Sequence, residues 1–175
     1  FNSKMANALN QFAPKLAFTY NFNSEFSFNS NISRYYQLPP YTTLGFKDAS
    51  GNLVNENMDY IKADHFVAGL TYYLDINAKL SLEAFYKNYS NYPFLLRDSL
   101  SLANLGGDFG VIGNQAANSS SDGRAYGLEF LYQQKLYKGW FGTVAYTLVK
   151  SEFEDKNGDL KPSAWDNQHI ITATI

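Results

Sequence analysis

Large apolar side chains recur at every second position through most of this chain, and the repeat lapses only where Asn, Ser, Gly, Asp and Pro cluster. Period-two alternation marks a strand with one apolar and one polar face. In FAPKLAFTYNF (12–22), Leu16, Phe18 and Tyr20 share one face, and Lys15, Ala17 and Thr19 the other. After a short Asn23-Ser24 turn, EFSFNSNISRYY carries Phe26, Phe28 and Ile32 on a weaker apolar face. DHFVAGLTYYL sets Phe66, Ala68, Leu70, Tyr72 and Leu74 against His65, Gly69 and Thr71. Beyond a DINA turn, KLSLEAFYKNY sets Leu80, Leu82, Ala84 and Tyr86 against Ser81, Glu83, Phe85 and Lys87. GRAYGLEFLYQQKLYKGWFGTVAYTLVKS (123–151) reads as two strands folded at Lys138-Gly139, and WDNQHIITATI supplies a seventh stretch. With no helical period anywhere, the fold class is all-β, an antiparallel meander of long amphipathic strands.

Alternation alone does not say whether the apolar face meets a protein core or lipid. Three features favour lipid. The strands are about ten or eleven residues long, roughly the length that crosses a bilayer at a tilt. Short turns fall at one end of the sheet and long loops (37–60, 91–122 and 154–164) at the other, as in outer-membrane barrels. Aromatic residues flank every short turn, Tyr20, Phe22 and Phe26 at the first, Tyr72 and Tyr73 at the second, Tyr132, Tyr137, Trp140 and Phe141 at the third, as an interfacial girdle requires. The expected lipid-facing set is Leu16, Phe18, Leu70, Leu82, Leu128, Phe130, Val144 and Leu148. The opposite face, with Ala17, Thr19, Gly69, Thr71, Gly127, Glu129, Gln133, Thr143, Ala145 and Thr147, is small and polar and suits a hydrated lumen.

Composition narrows the chemistry. Tyr and Phe, 14 each, carry much of the apolar load of a chain whose mean hydropathy is only −0.32. Cysteine is absent, which removes disulfides, thiolate metal sites and Cys nucleophiles. A formal charge of −2, with scattered Lys and Arg, gives no basic field for nucleic acid. No apolar run is long enough for a transmembrane helix. The opening FNSKM carries no signal peptide, which fits a fragment or processed product. Seven strands do not close an even-numbered barrel, so residues 1–175 read as part of a larger one.

GRAYGLEF and AYTLVKSEF in tandem, followed by a loop and WDNQH, together with DHFVAGLTYYL, LEAFYKNYSNY and ISRYYQLPPY, resemble the barrel region of a TonB-dependent outer-membrane receptor. The resemblance implies a plugged barrel of about 22 strands. It also implies a place in the cell outer membrane, contact with its lipid, and energised uptake of a scarce small-molecule or oligosaccharide nutrient such as a siderophore or cobalamin. By the same resemblance the energy is expected from the TonB complex, through an N-terminal plug region expected to lie outside this chain, as are the terminal strands. No cofactor is implied.

Candidate ligand-binding residues lie where long loops begin, because structureless connections of this length are commonly functional. SRYYQLPPY offers Arg34, Tyr35, Tyr36 and Tyr41, able to stack on rings and pair with an anion; YSNYPFLLRDSL adds Tyr92, Phe94 and Arg97. The bland alternative is an outer aromatic girdle. GGDFGVIG (106–113) mimics a kinase DFG or phosphate loop, but no HRD-type segment or strand-to-helix transition accompanies it, and it reads as an outer loop. DKNGD (155–159) lacks the further ligands of a calcium loop and reads as a tight turn. His65 and His169 have no ligand-spaced partner and read as lumen or rim residues, so no metal site is expected. Glu83 and Glu129 sit singly on the hydrated face, no Gly-x-Ser-x-Gly occurs, and no catalytic residue or enzyme activity is expected. The Asn88 and Asn118 sequons matter only in a eukaryotic secretory route. Two other readings use the same pattern: a secreted, aromatic-rich β-sandwich that binds carbohydrate, and a passive porin-like channel.

Overall fold

The computed structural model describes residues 8–105 and 112–175. One antiparallel sheet contains β1 (Lys15–Asn21), β2 (Phe26–Gln37), β3 (Ile61–Tyr73), β4 (Ala78–Leu95), β6 (Ala117–Tyr137) and β7 (Trp140–Glu154), each paired with the next. The two-residue β5 (Leu100–Ser101) pairs with β4, and β8 (Leu160–Pro162) and β9 (Gln168–Thr174) pair with successive lengths of β7. A four-residue helix, α1 (Tyr41–Leu44), lies in the loop between β2 and β3. The described residues form one sheet with no second sheet stacked on it, which removes the sandwich reading. Among the described residues the sheet is open, since β1 pairs only with β2 and β9 only with β7.

Register fixes the two faces. Directly opposed residues share a face, so Phe28, Leu70, Leu82, Phe130, Tyr146 and Ile171 form one continuous row across six strands. Phe18 and the Leu128–Leu148 pair lie one row outward, Leu16 stands opposite Ile32, and Val144 stands opposite Tyr132. All eight residues of the expected lipid-facing set therefore share the apolar face, and each is substantially exposed. The second face carries the row Thr19, Asn29, Gly69, Glu83, Glu129 and Thr147. Glu83 and Glu129 are thus direct cross-strand partners, where sequence reading had each standing singly.

The central strands overrun the expected ten or eleven residues, β4 having 18 and β6 having 21, whereas β1 and β9 have 7 each. Of residues 91–122, expected to be one long loop, both ends are strand, because β4 continues to Leu95 and β6 starts at Ala117, and β5 adds a short strand between them. This overrun belongs to the long-loop end and projects past the apolar band.

Turn chemistry holds the opposite end tight. Lys138 and Gly139 both have positive φ (50° and 88°) between the paired Tyr137 and Trp140, the two-residue turn whose twist suits a hairpin. Asn23 Oδ1 accepts the Glu25 and Phe26 N–H groups, and Asp75 Oδ1 accepts those of Asn77 and Ala78. At the outer end, Met58, Leu95, Leu102 and Ala117 form a small buried core, with Leu44 and Leu105 packed against it. Buried Asn55 pins the two outer loops together: its Nδ2 donates to Thr43 O (2.8 Å) and Gln115 O (3.1 Å), and its Oδ1 accepts from Ala117 N (2.8 Å).

Candidate functional site

A hollow of about 690 Å³ opens on the polar face where the strands pass the apolar band. Its floor follows from register. Lys15, Ser33, His65, Lys87, Ala125 and Ser151 oppose one another in a single row across six strands. The next row outward holds Tyr35, Ala63, Tyr89, Gly123 and Phe153. Lys87 and His65 thus lie beneath a row of rings, with Lys15 at the end of the same row outside the lining, and no carboxylate stands in either row.

The rings touch in sequence. Tyr35 lies 4.7 Å from His65 between centroids, and Lys15 Nζ sits 4.4 Å above the Tyr35 ring. His65 is 6.5 Å from Tyr89, which in turn lies 5.4 Å from Phe153, and Phe153 is 4.8 Å from Tyr92. Edge-on and tilted pairs at these separations are attractive beyond the area they bury. Tyr92, outward of the apolar band, has its phenol pushed above the ordinary range by burial, with Tyr89 a smaller contributor, so it stays a neutral donor at physiological pH.

The glycines of GRAYG explain why rings lie so close to the sheet. A Cβ on Gly123 would fall 2.3 Å from the Phe153 ring, and one on Gly127 would fall 2.0 Å from Leu148 O and 2.8 Å from Phe85 Cζ. Each glycine, directly opposite an aromatic residue in register, lets that ring lie across its backbone.

Of the expected ligand-binding residues, Tyr35, Tyr36 and Tyr92 line the hollow. Arg34 stands in register with Asp64 and is held by it in a two-contact ion pair (2.6 and 3.0 Å), outside the lining. Tyr41 is on α1, 77% exposed and apart from the hollow. Phe94 pairs with Ser101 and Asn118 beyond Tyr92, and Arg97, bonded to Asp98, belongs to the loop above. Sequence reading passed over Lys15, Phe85, Lys87, Tyr89, Phe153 and Trp165; all but Lys15 line the hollow. For Phe85, Lys87, Tyr89 and Phe153 the signal was the cross-strand register, which only pairing reveals.

His65 lies on the floor of this site, whereas His169 stands on the apolar face opposite Leu148, hydrogen-bonded at Nδ1 to Tyr146 Oη (2.8 Å). Among the described residues no group of three or more His, Asp or Glu is arranged to hold a metal. The DKNGD stretch is a turn: Asp155 Oδ1 accepts the Asn157 and Asp159 N–H groups, and Lys161 Nζ lies 3.6 Å from both carboxylates. GGDFGVIG falls almost wholly outside the described residues.

No curated protein matches the chain in sequence. Among solved structures, the alcaligin outer membrane receptor FauA from Bordetella pertussis matches with a TM-score of 0.61 at 18% identity, over 93% of this chain and 25% of that one. The pyoverdine outer membrane receptor FpvA from Pseudomonas aeruginosa, bound to pyoverdine, matches with a TM-score of 0.61 at 18% identity, over 92% of this chain and 21% of that one. The chain thus spans a quarter or less of the length of these structures. The family described as TonB dependent receptor-like, beta-barrel, matches residues 2–168. With its open meander of long two-faced strands and that match over nearly its whole length, the chain belongs to the TonB-dependent receptor family, as a stretch of its outer-membrane β-barrel.

Proposed function

We propose that this chain forms part of the lumen wall and outer mouth of a receptor that takes up a scarce nutrient across the outer membrane, with energy supplied through TonB. The apolar face, including Leu70, Leu82 and Phe130, meets acyl chains; the polar face meets water and the plug region of the whole receptor. The observation that carries the reading is the hollow at the outer end of the polar face, where Tyr35, Tyr89 and Tyr92 stand over Lys87 and His65. Rings beside a lysine, at the mouth rather than mid-barrel, are placed to capture a ligand arriving from outside. Among siderophores, cobalamin and oligosaccharides, a siderophore fits best, as it does the alcaligin and pyoverdine receptors of similar fold.

Within the full-length receptor, changing Tyr35, His65 and Lys87 together to alanine is expected to abolish energy-dependent accumulation of the iron chelate that the unmodified receptor imports, with surface levels unchanged. Unaltered accumulation would remove the hollow from the uptake route.

A further inference from the structure

Strict alternation from Tyr89 would bring Asn91 onto the polar face and turn Tyr92 away from it. The register departs from alternation at this point. Tyr89 opposes Gly123 but Tyr92 opposes Ser121, so β4 spends three steps where β6 spends two. The extra residue is confined, because a compensating shift in β6 precedes the Phe94–Asn118 pair. Asn91 takes up the irregularity with φ of 60°, a left-handed conformation that asparagine tolerates better than most residues. Its N–H donates to Asp122 Oδ1 (3.3 Å), and its Nδ2 donates to Tyr60 O (3.5 Å). A bulge of this kind re-aims the side chain that follows it.

The re-aimed ring meets a prepared seat. Tyr92 and Tyr89 stand edge to face at 6.4 Å and 89°, and both rest on Phe153. Phe153 is 2% exposed and lies where any side chain at position 123 would have to be. A bulge interrupts the ladder and a mid-strand glycine weakens it. Two such departures therefore converge on the same three rings at the rim of the hollow.

From this convergence we infer that Asn91, Gly123 and Phe153 are positioning residues that hold Tyr89 and Tyr92 as a platform for a planar ring of the ligand, and that this platform determines specificity. The inference rests on the receptor reading above. The bulge and the glycine seat serve to put two phenol rings on one wall, three residues apart in a strand that would otherwise part them. Lys87, one row inward on the same face, supplies positive charge beside that ring.

The test uses the purified full-length receptor, with ferric catecholate as the ring-bearing probe and ferric acetohydroxamate as the ring-free one, bound and followed by intrinsic fluorescence quenching. The unmodified receptor is expected to prefer the catecholate complex. Asn91→Val, whose β-branched side chain disfavours the positive φ of the bulge, is expected to restore strict alternation and turn Tyr92 outward, Gly123→Val displaces Phe153, and Tyr92→Leu removes a ring without touching the backbone. Each is expected to reduce the preference about three- to tenfold, the range of one aromatic contact. Asn91→Gly, which adopts positive φ freely, is expected to keep it. Heat-modifiable electrophoretic mobility reports barrel assembly for every variant, and Tyr92→Leu keeps the test decisive if the backbone variants fail to assemble. No preference in the unmodified receptor, or a preference that survives Tyr92→Leu, would overturn the inference. Failure of the transport reading shows separately, as absence of energy-dependent accumulation in cells despite platform-dependent binding.

Discussion

Leu82 stands between Leu70 and Phe130 near the middle of the apolar face, while its neighbour Ser81 stands between Thr71 and Leu131 on the other. On the proposed reading, one step along the chain exchanges hydrocarbon for a hydrated wall. Leu82→Arg in the full-length receptor is expected to cost about 2–4 kcal/mol, as a lipid-side cation near the bilayer midplane does, and Ser81→Arg much less. Urea unfolding in liposomes reads the difference, and equal costs would reverse the assignment of faces. Asp155 makes a different demand at the outer rim. Its carboxylate lies below the usual carboxylate range, first because the Asn157 N–H bonds it, with the Asp159 N–H and Lys161 adding to the effect. A lowered folded pKa gives stability that is present above the unfolded value, near pH 3.9, and is lost as pH falls through the folded value. The 155–159 turn is thus expected to resist proteolysis at pH 7 and to open below about pH 4. Asp155→Asn should remove that pH dependence.

Alternation located each of the seven long strands, because every one has a face that water avoids and a face that it does not. It failed where both faces are polar. The outer half of β6 begins ANSSSDG, which reads as loop, yet backbone bonds to β4 and the core around Leu95, Leu102 and Ala117 hold it extended. Candidate ligand residues fared alike: Tyr35, Tyr36 and Tyr92 were legible as rings beside loops, whereas Lys87 and Phe153 join the hollow only through register. Two predictions belong to these elements. Asn55→Ala leaves the Ala117 N–H and two carbonyl groups without their buried partner, at a cost of about 1–3 kcal/mol. The cost falls on the two outer loops that Asn55 joins, so limited proteolysis should cut within 38–60 and 96–116 while the strands stay protected. Gly127→Val drives a side chain into Leu148 O and the Phe85 ring, and overpacking of that kind costs about 1–3 kcal/mol. That loss should appear as a lower urea midpoint for the whole barrel, because Gly127 lies inside the β4–β6–β7 ladder rather than beside it.

At the scale of the whole molecule, the sheet of the described residues ends in two unpaired ladder edges, β1 beyond β2 and β9 beyond β7, along with an apolar face that spans its strands. Backbone groups at a sheet edge have no water to turn to in a bilayer, and only closure or another strand satisfies them. The same residues that make this sheet a good wall therefore make it a poor independent unit. Refolded alone into detergent micelles, residues 1–175 are expected to associate through those edges into oligomers whose size grows with concentration. The full-length receptor, whose neighbouring strands would cover β1 and β9, should sediment as a discrete species and migrate in a heat-modifiable form. Sedimentation velocity over a tenfold concentration range distinguishes the two. A monodisperse, protease-resistant monomer of the isolated chain would mean that its edges are satisfied internally, and the open meander would no longer describe its folded state.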